Sequence, residues 1–463
     1  MRNFTILWFG QLVSTIGSYM TVFALLIWVW QQTESATTLA LVTFFSQLPR
    51  IFITPIAGII VDRFHRKRLI LLGDGIALLS TLAIGLLYFT GVLQIWHLYI
   101  VVALYGCFGQ LQTLAYSASI AMLVPKAQYT RAESMIAMVG YSGVIFSPIL
   151  AGSLYPLIGI TGIIAIDLLS FIAGLITLIL TPIPQPTSEP NSEPNSEPNS
   201  DRANPFTWQT LTFGFRYIAA KPALTAMVIA FTLFAIPGDI GKALYNPMIL
   251  ARSGGDARVL GLVTTAAGVG GVIGAILFSI WGGFPRRIHG MLLGFAATGL
   301  CKIILGLGRT PLIWATAHFC ATLPIPMFYS SSNAIWYAKV PPSLQGRVLA
   351  ADQMIGLIVG TLAPLLAGPL ADRVFEPAMQ PDGRLAPLFA PLFGTDTGAG
   401  MALLYTLTAL WMLLVGLGGY GFRTLRQVET LLPDHDVADQ NASNQNASNQ
   451  NISNPDHSPF HTP

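Results

Sequence analysis

Four ionisable side chains stand inside long apolar runs of the chain: Asp167, Asp239, Lys242 and His318. A charge at the centre of a bilayer costs at least ~2.5 kcal/mol, so each needs a partner or a wet cavity. The chemistry open to such groups is reversible proton binding, which a carboxyl or an imidazole performs without a cofactor. Asp239 and Lys242 are spaced i, i+3 and share a helix face; a static ion pair is the alternative reading for them. Asp167 has no cation nearby in sequence, so it is the preferred proton carrier, with Asp239 supplying cavity charge. The alternative for Asp167 is a hydrogen-bonded contact between helices. His318 is the next group in line. Arg50 and Lys302 also fall within apolar runs and are expected to snorkel to the cytoplasmic face. There is no phosphate-cradling G-x-x-x-x-G-K-[ST] loop, no nucleophilic Ser/His/Asp arrangement and no metal-ligand spacing. An enzyme, an ATP-driven pump, a metal site and a cofactor are therefore not expected.

These side chains must be held by membrane helices. Of 463 residues, 53% are hydrophobic and only 10% charged, too few to coat a soluble protein of this size. Apolar runs of membrane-spanning length recur at about 4–30, 37–61, 69–91, 96–123, 133–157, 160–181, 222–250, 258–281, 289–308, 311–338, 347–374 and 399–422. That predicts an all-α polytopic membrane protein with twelve transmembrane helices. Cys107, Cys301 and Cys320 all fall within the runs, so no disulfide framework is implied. Arg2 precedes the first run without an obvious cleavage site, which predicts a retained first helix. The net charge of +3 gives no reason to expect a nucleic-acid partner.

Between the second and third runs stands Gly58-Ile59-Ile60-Val61-Asp62-Arg63-Phe64-His65-Arg66-Lys67-Arg68. Basic loops resist translocation, so this one is assigned to the cytoplasm. With both termini inside, sixteen Lys and Arg fall on the cytoplasmic side and five outside. An inner-membrane protein with cytoplasmic termini follows. Residues 182–221 form a cytoplasmic linker that repeats Ser-Glu-Pro-Asn from Ser188, and residues 423–463 a low-complexity cytoplasmic tail. The linker separates two sets of six spans, at 1–181 and 222–422. The two sets echo each other: the fifth run can be laid on the eleventh without a gap. Arg131 then meets Arg347, Pro148 meets Pro364 and Gly152 meets Gly368, among other identities.

The basic loop resembles the G-x-x-x-D-R-x-G-R-[RK] signature of the major facilitator superfamily. Gly58, Asp62, Arg63, Arg66 and Lys67 match, and His65 replaces the second glycine. The resemblance implies two parallel six-helix halves, consistent with the internal repeat. It also implies a conformational latch: Asp62 docks near the start of the eleventh helix, around 345–350, with Arg63 and Arg66 as charge partners. Lys67, Arg131 and Arg347 complete the basic face of that latch. In this superfamily the first, fourth, seventh and tenth helices line the cavity. Here they carry Gln11, Tyr19, Gln110, Gln112, Tyr116, Asn246, Trp314, His318, Asn333 and Trp336. Amides mixed with aromatics suit a bulky, largely apolar substrate. The alternative is polar packing between helices for part of that set.

Gly143-x-x-x-Ser147-Pro148-x-x-Ala151-Gly152 resembles the G-x-x-x-G-P-x-x-G-G signature of exporters in the superfamily, with two glycines replaced. Ordinary small-residue packing is the alternative. The opening Trp8-Phe9-Gly10-Gln11-Leu12-Val13-Ser14-Thr15-Ile16-Gly17-Ser18 is similar to the macrolide-efflux and enterobactin-exporter branch. The resemblance implies a monomeric, proton-coupled exporter of a drug-like compound, secondary metabolite or siderophore, in a lipid bilayer. An importer or facilitator of a small metabolite, and a non-transporting membrane sensor, are the rival readings.

Overall fold

The computed structural model describes residues 2–125, 128–181 and 208–431. The Ser-Glu-Pro-Asn repeats and the Asn-rich tail lie outside the described residues, as do the side chains of Asp62 and Arg63. Among the described residues there is helix and no strand. The first half contains α1 (Arg2–Thr33), α2 (Ala36–Arg63), α3 (Arg66–Phe89), α4 (Ile95–Leu123) and α5 (Tyr129–Leu180). Then come α6 (Trp208–Ala219), α7 (Pro222–Arg252), α8 (Ala257–Trp281), α9 (Arg287–Leu307), α10 (Pro311–Thr322), α11 (Ile325–Lys339) and α12 (Pro342–Leu370). Short helices α13 (Glu376–Met379) and α14 (Ala386–Phe393) precede α15 (Ala399–Gly418), and α16 (Arg423–Arg426) and α17 (Val428–Leu431) close the described chain.

Eleven stretches are long and apolar enough to cross a membrane. One of them is α5, whose 52 residues would run about 78 Å, more than twice a ~30 Å hydrocarbon core. It is broken at Gly159, where φ 64° and ψ −173° leave helical space and suit a residue without Cβ. Counted as two crossings, α5 brings the total to the expected twelve, with no connecting loop. Conversely, α10 and α11 form one crossing, interrupted at Leu323-Pro324. Starts elsewhere follow local chemistry. Ser35 caps α2 by accepting from the Thr38 amide, Thr310 caps α10, and proline opens α7, α10 and α12.

The last part of the segment expected as a linker contains α6, which packs on the start of α12, with Gly214 against the Arg347 backbone and the Ala351 side chain. The Arg347 guanidinium lies 5.7 Å from the Phe213 ring centroid. Close to the end of the described chain, the Glu429 carboxylate accepts from the Arg287 and Ile288 amides, both at 3.3 Å, and caps α9.

The two ends of the molecule differ in how their cores are shared. At the end opposite the basic loop, one buried cluster contains Ile27, Trp30 and Leu39 together with Met248, Leu260, Ala367 and Tyr405. It therefore draws on both halves. At the basic end the buried clusters stay within a half: Leu7, Val61, Ile70 and Leu178 in one, and Leu224, Met291, Phe295 and Trp336 in another. Among the described residues the halves share a buried core at one end and none at the other, so the first is the sealed end and the second the parted one.

Close glycine contacts join the halves on both flanks. A Cβ on Gly152 would lie 2.7 Å from the Ala257 carbonyl oxygen, so α5 and α8 meet backbone to backbone. Its repeat counterpart Gly368 meets the Thr37 backbone on α2 in the same manner. We expect Gly152→Leu to lower the melting temperature in detergent well below that of Gly140→Leu, where nothing lies within 4 Å. Overpacking such a contact costs about 1–3 kcal/mol. Equal melting of the two variants would show that the contact is not tight.

Candidate functional site

A cavity of about 430 Å³ lies within the C-terminal half, walled by α7, α9, α10, α11 and α15. Asp239 and Lys242 reach it from α7, Lys302 from α9, and His318 from α10. Lys242 and Lys302 are both electrostatic neighbours of Asp239, so the i, i+3 pair is part of a three-charge group. Lys302 thus does not snorkel to a membrane face, as the sequence suggested. Its ammonium finds a carboxylate and a cavity closer at hand. Helix α12 passes close to Asp239 at Gly360, where a Cβ would stand 3.5 Å from the carboxylate. The His318 ring packs on Tyr245 with centroids 4.6 Å apart, and its Nδ1 is buried without a hydrogen-bond partner. Phe231, Phe234, Phe328 and Tyr329 form an aromatic wall beside the charges; Phe328 and Tyr329 ring centroids are 4.7 Å apart.

The N-terminal half holds a second polar cluster. Asp167, in the second limb of α5, is 1% exposed. Its carboxylate accepts from Thr81 Oγ1 at 3.3 Å and Ser18 Oγ at 3.4 Å. Gly17 lets α1 come close enough for these contacts. Asp74 on α3 accepts from Gln11 Nε2 at 3.3 Å and from Gln112 Nε2. Tyr105 lies within electrostatic range of Tyr19, Arg50, Asp74 and Asp167, which groups these residues. Arg50 sits midway along α2 with its Nε buried and unpartnered, so it too stays inside the bundle and does not snorkel.

Other expected residues are placed as follows. Gln11 and Gln112 serve Asp74, and the Tyr116 hydroxyl is buried without a partner. Trp314 is 2% exposed, donates to the Gly308 carbonyl at 2.8 Å and fills the sealed end, away from the cavity. Trp336 is 1% exposed in the core of the C-terminal half, Asn333 is exposed, and Asn246 and Gln110 are half-buried away from the cavity wall. None of these four lines this cavity. Ser147 donates to the Ile16 carbonyl at 2.8 Å, and Gly143 packs on Thr15 and Tyr19, so the exporter-like motif ties α5 to α1 as well as to α8. Ala151 is fully buried in the shared cluster. Arg66 donates to the Ala118 carbonyl at 2.6 Å, and Lys67 to Ile179 and Thr181 at 3.0 and 2.8 Å, holding helix ends within the first half. Arg131 is exposed. The expectations do not include Asp74 or Asp352, although both stand within apolar runs and the criterion that selects Asp167 selects them too.

At the sealed end a different carboxylate joins the halves. Asp372 lies on a π-helical turn after α12 and accepts from Ser35 Oγ at 2.7 Å, the Thr37 amide at 2.8 Å and the Ala36 amide at 3.1 Å. It caps α2 from the other half of the chain.

The sequence profile of the Major Facilitator Superfamily matches residues 7–364. The chain belongs to this superfamily. It is a multi-pass membrane transporter for a small molecule and not an enzyme. Macrolide efflux protein A of Streptococcus pyogenes is 24% identical over 374 residues, covering 80% of this chain and 90% of that protein. Multidrug efflux pump Tap of Mycolicibacterium fortuitum is 23% identical over 380 residues, covering 79% and 88%. Among solved structures, the transporter is similar to a bacterial homologue of the human lysosomal transporter Spinster, in an inward-facing and unoccupied conformation. The TM-score is 0.68 at 15% identity, over 92% of this chain and 96% of that one. A bacterial homologue of the iron transporter ferroportin gives 0.64 at 14% identity, over 90% and 98%. Efflux pumps thus recur among its relatives at low identity, and the fold is shared more widely.

Proposed function

We propose that this transporter is a monomeric, proton-coupled exporter of a bulky amphipathic compound, working by alternating access in the inner membrane with both termini in the cytoplasm. The observation that carries this reading is the separation of two sites. An aromatic cavity with a three-charge group lies in one half, and a buried carboxyl without an ion partner, Asp167, lies in the other. One can hold cargo while the other holds a proton. The excess of Lys and Arg on one side supports placing the basic loop in the cytoplasm, and the parted end is then the cytoplasmic entrance.

Everted membrane vesicles with an acidic interior, offered a panel of macrolides, cationic dyes, aromatic acids and siderophores, test the function. At least one compound should accumulate in the vesicles and be released by a protonophore. No accumulation of any compound, or accumulation indifferent to the protonophore, would sink proton-coupled export. Orientation is tested separately. Cysteines placed at His65 and at Asp382, both exposed, in a protein lacking Cys107, Cys301 and Cys320, should label from opposite sides of the membrane. Labelling of both from outside intact cells would reverse the assignment of the loop.

A further inference from the structure

We propose that the cargo carries an anionic group, which seats between Lys242 and Lys302 while its aromatic body lies on the Phe231, Phe234, Phe328 and Tyr329 wall. This rests on the export reading above and narrows it. Two ammonium groups and one carboxylate line the cavity. Each ammonium has three donors, and among the described residues neither lysine has a protein hydrogen-bond acceptor. Asp239 alone cannot satisfy them. Asp352 on α12 is an electrostatic neighbour of Tyr329 and is not part of the lining. The cavity wall therefore carries one more positive than negative charge; Lys242 reaches solvent, while Lys302 is half-buried, where uncompensated charge is costly.

An oxyanion entering the cavity supplies the missing acceptors and balances the charge. A cation entering it adds like charge to the two lysines. An ammonium is a point charge without the planar fork of a guanidinium, so a carboxylate, a sulfonate or a phosphate meets the same need. The aromatic wall is a tilted and edge-on array, with Phe231 and Tyr329 centroids 5.5 Å apart, which offers faces and edges to a fused ring system. The volume falls in the range of ordinary small-ligand sites.

Fluorescein and rhodamine 6G share a fused xanthene body and carry opposite charge near neutral pH. Binding of each dye to the purified full-length protein in neutral detergent is read by fluorescence anisotropy, against protein-free micelles. Fluorescein should bind at least about tenfold more tightly than rhodamine 6G. Lys302→Gln and Lys242→Gln should each weaken fluorescein roughly tenfold without weakening rhodamine 6G, and Lys302→Arg should restore it. Melting temperatures of the variants separate lost binding from lost folding, and Lys242→Gln stands in if Lys302→Gln fails to fold. Tighter binding of rhodamine 6G, no binding of fluorescein, or fluorescein affinity unmoved by both glutamines would overturn the proposal. Because dye binding requires no pumping, a protein that binds fluorescein but fails the vesicle assay would lose the export reading alone. A protein that pumps only cations would keep export and lose the anion.

Discussion

Asp167→Asn should abolish accumulation of cargo against a gradient while leaving exchange of cargo across the membrane intact. An exporter driven by protons needs a group that is protonated in one state and free in the other. Asp167 is held by the hydroxyls of Ser18 and Thr81. A hydroxyl can turn from donor to acceptor, so these partners can serve the carboxyl with or without its proton. Asp74 is held differently, by side-chain amides of Gln11 and Gln112 that donate and cannot become acceptors at nitrogen. Asp239 has two lysines as electrostatic neighbours. Among the three, Asp167 is the one whose surroundings tolerate both forms. Asparagine keeps the size of the side chain and both kinds of hydrogen bond, so folding should survive. In everted vesicles, pH-driven accumulation should fall to background, and counterflow exchange should stay within about twofold of wild type. If Asp167→Asn pumps normally while Asp239→Asn does not, the two roles are exchanged. If both pump, His318 and Asp74 become the groups to test.

Asp372→Ala should shift the transporter toward the state that is open at the end away from the basic loop. The carboxylate holds Ser35 and the first amides of α2, which have no partners within their own helix. Loss of a helix cap and its charge-assisted bonds costs about 1–3 kcal/mol in the state that makes them. The state in which the halves part at this end has no such contact to lose, so the equilibrium moves by roughly 5–150-fold. A cysteine at Leu39, 6% exposed within the shared cluster, reports the change through its rate of alkylation from the outside. The rate should rise in Asp372→Ala and less so in Asp372→Asn, which retains one acceptor. An unchanged rate in the alanine variant would show that the sealed end is held by apolar packing alone.

Much of the fold was legible because a bilayer imposes a length and a composition on each crossing. The pair at 133–157 and 160–181 is an instructive case. Hydropathy separates the runs, but the continuous hydrogen bonding of α5 hides the break, which only the backbone at Gly159 reveals. The repeat that pairs the fifth run with the eleventh was equally readable, and Gly152 and Gly368 turn out to make equivalent close contacts with the second helix of the opposite half. The site was less legible, because a residue's position along a helix does not say which way it faces. Trp314 and Trp336 share a crossing with His318, yet they fill cores while the imidazole reaches the cavity. Lys302 looked free to reach a membrane face, and the acid whose field it feels, Asp239, stands two helices earlier in the chain, on α7. Helix α6 was hidden by the low-complexity segment that precedes it.

The Asp372 clasp has no twin. The superposition that lays Gly152 on Gly368 sends Asp372 to Pro156, a residue with neither a carboxylate nor an amide hydrogen. The sealed end is thus lopsided. Its α2–α12 flank is pinned by a charged cap, and its α5–α8 flank by close packing and the neutral Thr265–Ile145 hydrogen bond, with no charged group. On such a body the two flanks are expected to part unequally, the α5–α8 seam before the flank that Asp372 pins.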